Sequence, residues 1–411
     1  MSVRTPLSST SWFAALGSVV SLGAQGLFAL FLLKLFDASA VGQFSVVSQI
    51  AFGWATLALA QSPLSLLANQ HSAVHSAAAA AWGQSAVRLL WMSPWVALAL
   101  WWSQRHSAAS AFDWLGLAPW VASIALLQMS WMLAQSLTLR QRAPAAVAWV
   151  RLAPPVLAAL IAWWGAVVLG ATHSHTLLLS ALLGYAAGAA WLLPAWTRSQ
   201  PSLPPCATEN PPHSDARSTR LKLLHTLTDV ALGALLAVQW QALYGSAEAG
   251  LLLVLLRLLG FIPGLVHSAW AQVVMSEGSV QRRASLRMAA LACGVIALLA
   301  LCIQTALQLG WLQASWQGLS AYLWPLACWQ MAACVMAAHA HLPFAHGRAA
   351  RLSWQCIGIN AAMLAMLCLP VLGAWLPTGL TAHQHLLLLS GFMTLALLAQ
   401  ALDHGLHRQS R

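Results

Sequence analysis

Charge is scarce in this sequence: 7% of its 411 residues are Asp, Glu, Lys or Arg, and 60% are hydrophobic. A soluble domain carries about 25% charged residues, so this composition excludes a water-soluble globular protein. Apolar runs recur along almost the whole chain, and roughly 20 apolar residues let a helix cross a hydrocarbon core about 30 Å thick. The sequence therefore predicts a polytopic membrane protein.

Acidic residues are the rarest charged type, with 8 Asp and Glu against 19 Lys and Arg and a net charge of +11. In a soluble protein this excess would suggest a nucleic-acid partner, but no basic cluster here is long enough for one. The excess instead fits the preference of membrane proteins for basic residues on the cytoplasmic side. We therefore expect contact with membrane lipids and none with nucleic acid.

Cysteine and histidine do not form the spacing typical of a metal site. Six of the seven cysteines lie inside apolar runs, and Cys206 lies in a proline-rich segment. The His-x-His pairs lack a neighbouring Cys or carboxylate in sequence; they are His173/His175, His339/His341 and His383/His385. We expect neither a metal nor a cofactor.

Twelve apolar runs, bounded by charge, Pro or Gly, predict twelve membrane-spanning helices. They cover residues 11–36, 41–67, 80–102, 115–139, 143–169, 176–196, 221–243, 249–271, 287–309, 316–338, 352–375 and 383–405. The first run is too long for a signal-peptide core, so we interpret it as a span. All the runs are too long and too uniformly apolar for barrel strands, so the predicted fold is all-α.

The basic residues also predict an orientation. With a cytoplasmic N-terminus, fourteen of the Lys and Arg residues fall on the cytoplasmic side, and Lys34 and Arg105 fall outside. This distribution predicts a multi-pass membrane protein with both termini in the cytoplasm.

A hydrophilic segment divides the predicted helices into two sets of six. Residues 197–220 contain five prolines and charges of both signs, and predict a flexible cytoplasmic linker between lobes 1–196 and 221–411. The turns Phe36 to Gly42 and Tyr244 to Gly250 share an aromatic residue, five further residues and a Gly. We therefore predict two parallel six-helix bundles around a central cavity, related by an axis along the membrane normal.

The first 70 residues resemble the N-terminal segment of bacterial polysaccharide and oligosaccharide-lipid flippases of the multidrug/oligosaccharidyl-lipid/polysaccharide exporter superfamily. The stretch Leu32 to Phe44 is similar to the family's leucine-rich helix, polar turn, Gly and aromatic. The stretch Leu255 to Leu259, with Arg257 at its centre, is similar to the family's eighth helix. The linker is longer and richer in proline than the family's pattern.

The resemblance implies a carrier and not an enzyme. Such a carrier moves an undecaprenyl-pyrophosphate-linked oligosaccharide, an O-antigen or other polysaccharide precursor, across the inner membrane by alternating access. The glycan would then meet polymerase or ligase machinery, which are the protein partners that the resemblance implies.

Four charged residues lie well inside predicted spans, away from the span ends, where a charge is costly unless it faces protein or water. Arg88, Arg151 and Arg257 are candidates for binding the pyrophosphate, because the guanidinium fork matches phosphate oxygens. Three alternatives stay open. Arg88 would lie at the membrane interface if its helix begins later than residue 80, and the side chain of Arg151 could extend to the cytoplasmic surface. Arg257 could form an ion pair with Asp229.

Asp229 is the fourth of these charges and the only carboxylate among them. His225 lies one helical turn before it on the same face. These two residues are the candidates for ion coupling, and neutralisation of Arg257 by Asp229 is the alternative.

Two other functions must be weighed. A multidrug exporter of the same fold is the first, but members of that branch typically carry an acid in the first lobe, where Asp37 and Asp113 fall in external turns here. An integral-membrane glycosyltransferase or polymerase is the second, but such enzymes generally need an external catalytic loop. The longest external loops, near 103–114 and 310–315, are short.

Overall fold

The structure, a computed structural model, describes residues 23–60, 62–68, 73–106, 112–141, 144–194, 216–267, 282–345, 348–372 and 379–406. Within these ranges the secondary structure is helical, with short turns and no strand. The all-α prediction is confirmed. Both termini, Cys206 and residues 195–215 lie outside the described residues.

Two compact units divide the chain, Met1–Pro212 and His213–Arg411, which we call unit 1 and unit 2. The helices of unit 1 are α1 (Gly23–Leu35), α2 (Ala38–Leu59), α3 (Ser62–Ala68), α4 (Val74–His106), α5 (Ala118–Arg140), α6 (Pro144–Val167) and α7 (Ser174–Ala189), which continues into a short 3₁₀ helix, Ala190–Leu192. The helices of unit 2 are α8 (Ala216–Leu265), α9 (Arg282–Gln308), α10 (Leu319–His339), α11 (His341–Ala345), α12 (Ala349–Leu367), α13 (Leu369–Leu372) and α14 (Ala382–Leu406).

A described helix lies on each of the twelve predicted ranges. In this part of the chain, seven helices are both long and apolar enough to cross a bilayer. One of them, Arg220–Leu265, is 46 residues long and bends at Gly245, so that its two arms match the predicted spans 221–243 and 249–271. The protein is therefore a polytopic helical membrane protein.

The fourth predicted span of each half lies at the centre of its unit. In unit 1 this is α5, which packs against α2, α3, α4, α6 and α7. In unit 2 it is α10, which packs against α8, α9 and α14. These two helices are the most buried of the candidate spans. The fourth span of each half is therefore the central helix of its unit.

The two copies of the predicted turn motif break the helix at the same position. Asp37 has extended backbone and caps α2, its Oδ1 accepting a hydrogen bond from the Ala40 backbone N–H at 2.6 Å. Gly245, the matching residue of the second copy, has φ 87° and bends α8. A positive φ of this kind is readily adopted only by glycine. This local match supports the duplication, and the superposition of the two halves stays a prediction.

Small residues bring α6 and α7 into close contact. A Cβ added at Gly184 would lie 2.6 Å from the carbonyl oxygen of Pro154, and one at Gly188 would lie 2.9 Å from Cγ of the same proline. The helices can approach this closely only because both positions lack a side chain. At Gly264, in contrast, an added Cβ would meet no described atom within 4 Å.

The helix boundaries differ from the predicted ones in two places. The predicted second span, 41–67, is broken after Leu59 into α2 and α3, with Ala60 at φ 46°. The predicted linker 197–220 ends earlier than expected, because α8 begins at Ala216.

Candidate functional site

Arg88 lies near the middle of α4, a 33-residue helix that begins at Val74. At 1.5 Å per residue the arginine is about 21 Å from the start of this helix. The helix begins earlier than the predicted 80, so the alternative that placed Arg88 at the interface because of a later start is wrong.

The side chain of Arg88 reaches the break between α2 and α3. Its Nη1 donates to Ser62 Oγ at 3.1 Å and to the carbonyl oxygens of Ala58 and Leu59, each at 3.4 Å. Ser85 Oγ also donates to Ser62 Oγ, at 3.2 Å. The last carbonyls of a helix lack partners within the helix and carry partial negative charge, so the guanidinium stabilises this end of α2. Arg88 has a structural role in addition to any binding role, and more than a third of the residue remains exposed.

Arg151 lies in the second turn of α6, one turn before Pro154. The residue is half-buried. On the preceding residue, the carbonyl oxygen of Val150 accepts a hydrogen bond from Trp131 Nε1 at 2.7 Å, which ties this part of α6 to α5. The structure therefore fixes the backbone around Arg151. The choice between a binding role and extension to the membrane surface stays a prediction.

Arg257 is exposed on a helix arm that is buried over residues 249–255. It lies in the second arm of α8, twelve residues after Gly245 and eight before Leu265. Residues 251–255 and Leu259 are buried on the same arm. A charged side chain on the surface of a membrane unit at this depth is tolerated where it meets water or an opposite charge.

Asp229 and His225 are brought together on the first arm of α8. Asp229 Oδ2 lies 3.4 Å from His225 Nε2, and Asp229 Oδ1 accepts a hydrogen bond from Asn360 Nδ2 at 2.5 Å. Asn360 Nδ2 also lies 3.3 Å from Thr228 Oγ1. The carboxylate is paired with His225 and Asn360 in place of Arg257, so the ion pair between Asp229 and Arg257 that the sequence left open is not formed.

This carboxylate remains open to its surroundings. The side chain of Asp229 is 56% exposed, whereas that of His225 is 27% exposed, and Asn360 is buried on α12. The two residues that the sequence proposes for ion coupling are therefore in contact, and the carboxylate of the pair is accessible.

A second polar group ties α12 to α14. Asp403 accepts hydrogen bonds from Arg351 Nη2 and Gln355 Nε2, each at 2.8 Å. At the next residue of α12, Cys356 Sγ lies 3.4 Å from Gln400 Nε2. Arg351 and Gln355 therefore tie α12 to α14, and Asn360 ties it to α8, so these side chains hold the three helices together.

A third polar group, which the sequence did not predict, contains Glu248. This residue was assigned to an external turn, but it lies in the second arm of α8 and accepts a hydrogen bond from the hydroxyl of Tyr322. Tyr322 is 2% exposed, and its ring lies 6.3 Å from that of Trp240. Glu248 lies within the repeated turn motif, between Tyr244 and Gly250, which was the available signal.

His385 completes the same group. Its Nε2 lies 3.1 Å from the carbonyl oxygen of Met366, and its Nδ1 lies 3.0 Å from the hydroxyl of Tyr244. Because a carbonyl only accepts, the Nε2 atom carries a hydrogen, and Nδ1 of the neutral ring accepts from Tyr244. The ring also stacks on Trp240, with centroids 5.1 Å apart. His385 therefore packs as part of the core of unit 2, and the His-x-His pair at 383 and 385 has no metal-binding arrangement. Across all described residues, no group of three His, Cys, Asp or Glu side chains is placed to hold a metal.

Of the five predicted site residues, only Asp229 and His225 contact each other. Arg88 and Arg151 lie in unit 1 with different neighbours, and Arg257 lies in unit 2.

No protein-family model matches the sequence, and no curated protein matches it. Solved structures do match its fold. One is described as an inward-facing conformation of a multidrug resistance MATE family transporter of the MOP superfamily; it has a TM-score of 0.64 and 11% identity, over 96% of this chain and 100% of the other. Another is a crystal structure of MATE in complex with MaL6, with a TM-score of 0.54 and 11% identity, over 97% of this chain and 96% of the other.

These likenesses extend over nearly the whole chain and show its fold, which is that of a polytopic helical transporter of the MATE type. The likeness is one of fold, and the expectation of a carrier and not an enzyme stays a prediction.

Proposed function

We propose that the protein is an inner-membrane flippase that moves undecaprenyl-pyrophosphate-linked oligosaccharide, a polysaccharide or lipopolysaccharide O-antigen precursor, by alternating access. The observation that carries this proposal is Arg257, an exposed charge within a membrane-length helix arm on which residues 251–255 and Leu259 are buried. Such a position costs a few kcal/mol in lipid and becomes favourable beside an anion. A pyrophosphate is an anion that a guanidinium fork binds well.

The charges of unit 1 point to the same substrate. Its described carboxylates, Asp37 and Asp113, both serve turns: Asp37 caps α2, and Asp113 Oδ1 accepts from the backbone N–H of Gly116 at 2.9 Å. Arg88 and Arg151, in contrast, lie within α4 and α6. The helices that carry embedded charge in unit 1 are therefore cationic, which favours an anionic substrate over a cationic drug.

A multidrug exporter of the same fold is the second candidate, because the first solved structure is described as a multidrug resistance transporter. The absence of a carboxylate from the interior of the described helices of unit 1 is the feature that argues against it. A glycosyltransferase or polymerase is a weaker candidate, since the fold is that of transporters.

Asp229 and His225 are the proposed coupling groups. The carboxylate is accessible, lies 3.4 Å from an imidazole and is held by Asn360 from another helix. A change of its protonation would change its hydrogen bonds to α12, which links proton binding to the packing of α8 against that helix.

We also propose that both termini and the 197–220 linker are cytoplasmic, as the basic residues indicate. Reporter fusions after Arg4, within the linker and after Arg408 should all give cytoplasmic signals. An external signal from the linker would contradict the proposed topology.

The proposed substrate class is tested by equilibrium binding to the purified protein in detergent, with radiolabelled undecaprenyl pyrophosphate and a cationic dye such as ethidium as probes. Wild type should bind the pyrophosphate, and Arg257→Gln should weaken binding about tenfold, because a charge-assisted contact is lost. The matched control is Arg105→Gln, which removes the same charge from a side chain that lies over the Trp101 ring near the end of α4. Binding of the dye without binding of the pyrophosphate would favour the multidrug exporter and contradict the flippase.

A further inference from the structure

The two most exposed large apolar side chains in the described part of the protein are both tryptophans of α4. Trp91 is 78% exposed and Trp95 is 73% exposed. Positions 91 and 95 lie near the middle of this helix, which extends from Val74 to His106. Tryptophans that anchor a helix at the membrane interface lie near its ends, as Trp101 and Trp102 do, so a position near the middle calls for another explanation.

The exposed surface of α4 is divided into two arcs. At 100° per residue, Gln84, Arg88, Trp91, Trp95 and Trp102 all fall within about 60° of one another. Between residues 84 and 102, the adjacent arc of about 80° carries only apolar side chains, which are Val87, Leu90, Pro94, Ala97 and Trp101. The second arc is suited to lipid, whereas the first contains the charge of Arg88 and the amide of Gln84.

The indole N–H groups support the same division. Neither Trp91 nor Trp95 donates a hydrogen bond within the described residues, whereas Trp54, Trp82 and Trp131 do. An N–H group among lipid tails has no partner and costs free energy. A hydroxylated ligand would satisfy it.

We propose that Arg88, Trp91 and Trp95 form a glycan subsite, in which the indole faces stack on sugar rings of the lipid-linked oligosaccharide while Arg88 faces the pyrophosphate. This inference rests on the proposed function and adds to it the two residues that recognise the sugars. The occupant is a pyranose because its C–H face packs on an aromatic ring and its hydroxyls accept from indole N–H. The two rings are four residues apart, about 6 Å along the helix axis, so they can contact consecutive parts of one chain.

The position of Arg88 agrees with this arrangement. Its Nη1 is engaged with Ser62 and the end of α2, but a guanidinium has five N–H donors, and more than a third of the residue is exposed. The arginine is thereby held in a fixed orientation by the fold, and its exposed side lies on the same arc as the two tryptophans.

The test compares two probes on the purified full-length protein: undecaprenyl pyrophosphate and the same lipid carrying one N-acetylglucosamine on its pyrophosphate. Trp91→Leu and Trp95→Leu should each weaken binding of the sugar-bearing probe about 3- to 10-fold and leave the sugar-free probe within about twofold, because only stacking on the sugar is lost. Trp91→Phe should retain more affinity than Trp91→Leu. The matched control is Trp164→Leu, since Trp164 is 54% exposed near the end of α6, and it should leave both affinities unchanged.

Two results would overturn the subsite. An equal loss for both probes would mean that the tryptophans hold the prenyl chain or the fold, and no loss for either would mean that they face lipid. In both cases the wild type still binds the pyrophosphate, so the proposed function stands. If the wild type binds neither probe, the proposed function itself fails, and the subsite fails with it.

Discussion

Asn360 on α12 holds Asp229 on α8 through a hydrogen bond of 2.5 Å from Nδ2 to Oδ1. The other carboxylate oxygen lies 3.4 Å from His225, one turn earlier on α8. The charge of the Asp229 carboxylate therefore affects how α8 packs against α12. Because an ionised carboxylate accepts a stronger hydrogen bond from an amide than a protonated one, protonation should loosen this contact.

Asp229→Asn should remove the response of transport to a proton gradient. The asparagine cannot ionise, so an imposed pH difference no longer changes the contact with Asn360. Transport into proteoliposomes is compared with and without the gradient, and Asp403→Asn serves as the control because that carboxylate is paired with Arg351 and Gln355. A gradient response equal to wild type in Asp229→Asn would exclude this residue from coupling.

Tyr322→Phe should destabilise unit 2. The buried hydroxyl donates to Glu248, and loss of a hydrogen bond to a charged group costs about 1.5–3 kcal/mol. Thermal unfolding in detergent should show a lower midpoint than wild type. Tyr322→Phe combined with Glu248→Gln should lose less than the sum of the two single variants, and strict additivity would show that the two side chains do not interact.

Gly184→Ala should destabilise unit 1. The added methyl group would lie 2.6 Å from the carbonyl oxygen of Pro154, so α6 and α7 must move apart, at a cost of about 1–3 kcal/mol. Gly83→Ala is the matched control, because a Cβ there meets no described atom within 4 Å. Equal melting temperatures for the two variants would contradict the close contact between α6 and α7.

Ser62→Ala should destabilise the end of α2, at the break between α2 and α3. This change removes the oxygen that accepts from both Arg88 and Ser85, at an expected cost of about 1–3 kcal/mol. Ser93→Ala is the control, since Ser93 is paired only with the carbonyl of Leu90 on its own helix. Protection of α2 amides in hydrogen exchange should fall in Ser62→Ala and stay at the wild-type level in Ser93→Ala. Unchanged protection in Ser62→Ala would mean that these contacts do not stabilise the end of α2.

Hydrophobicity and turn residues explain how much of the fold the sequence predicts. The long apolar runs end at Pro, Gly or charge, so α5 and α9 lie close to the predicted ranges 115–139 and 287–309. The break at Ala60 could not be predicted, because a non-glycine residue with positive φ has no local signal and is held by contacts from α4. The bend at Gly245 was signalled, since it occupies the second position of a repeated motif.

The candidate site was less predictable than the fold. The sequence identified Asp229 as an embedded charge and His225 as its neighbour, because residues four apart on one helix lie side by side. Asn360 was missed, since a single uncharged polar residue in an apolar run gives no sign of which helix it faces. Glu248 was missed for a related reason: its role depends on Tyr322, which lies 74 positions away.

The central claim, that Arg257 binds the pyrophosphate of a lipid-linked glycan during transport, is tested most directly by translocation of undecaprenyl-pyrophosphate-linked N-acetylglucosamine in proteoliposomes with equal amounts of each variant. Wild type and Arg105→Gln should translocate the lipid, and Arg257→Glu should not. Arg257→Lys should retain part of the rate, because lysine keeps the charge and loses the planar fork. The double variant Arg257→Asp with Asp229→Arg should not restore transport, since Asp229 is paired with His225 and Asn360. Translocation at the wild-type rate by Arg257→Ala would contradict the claim.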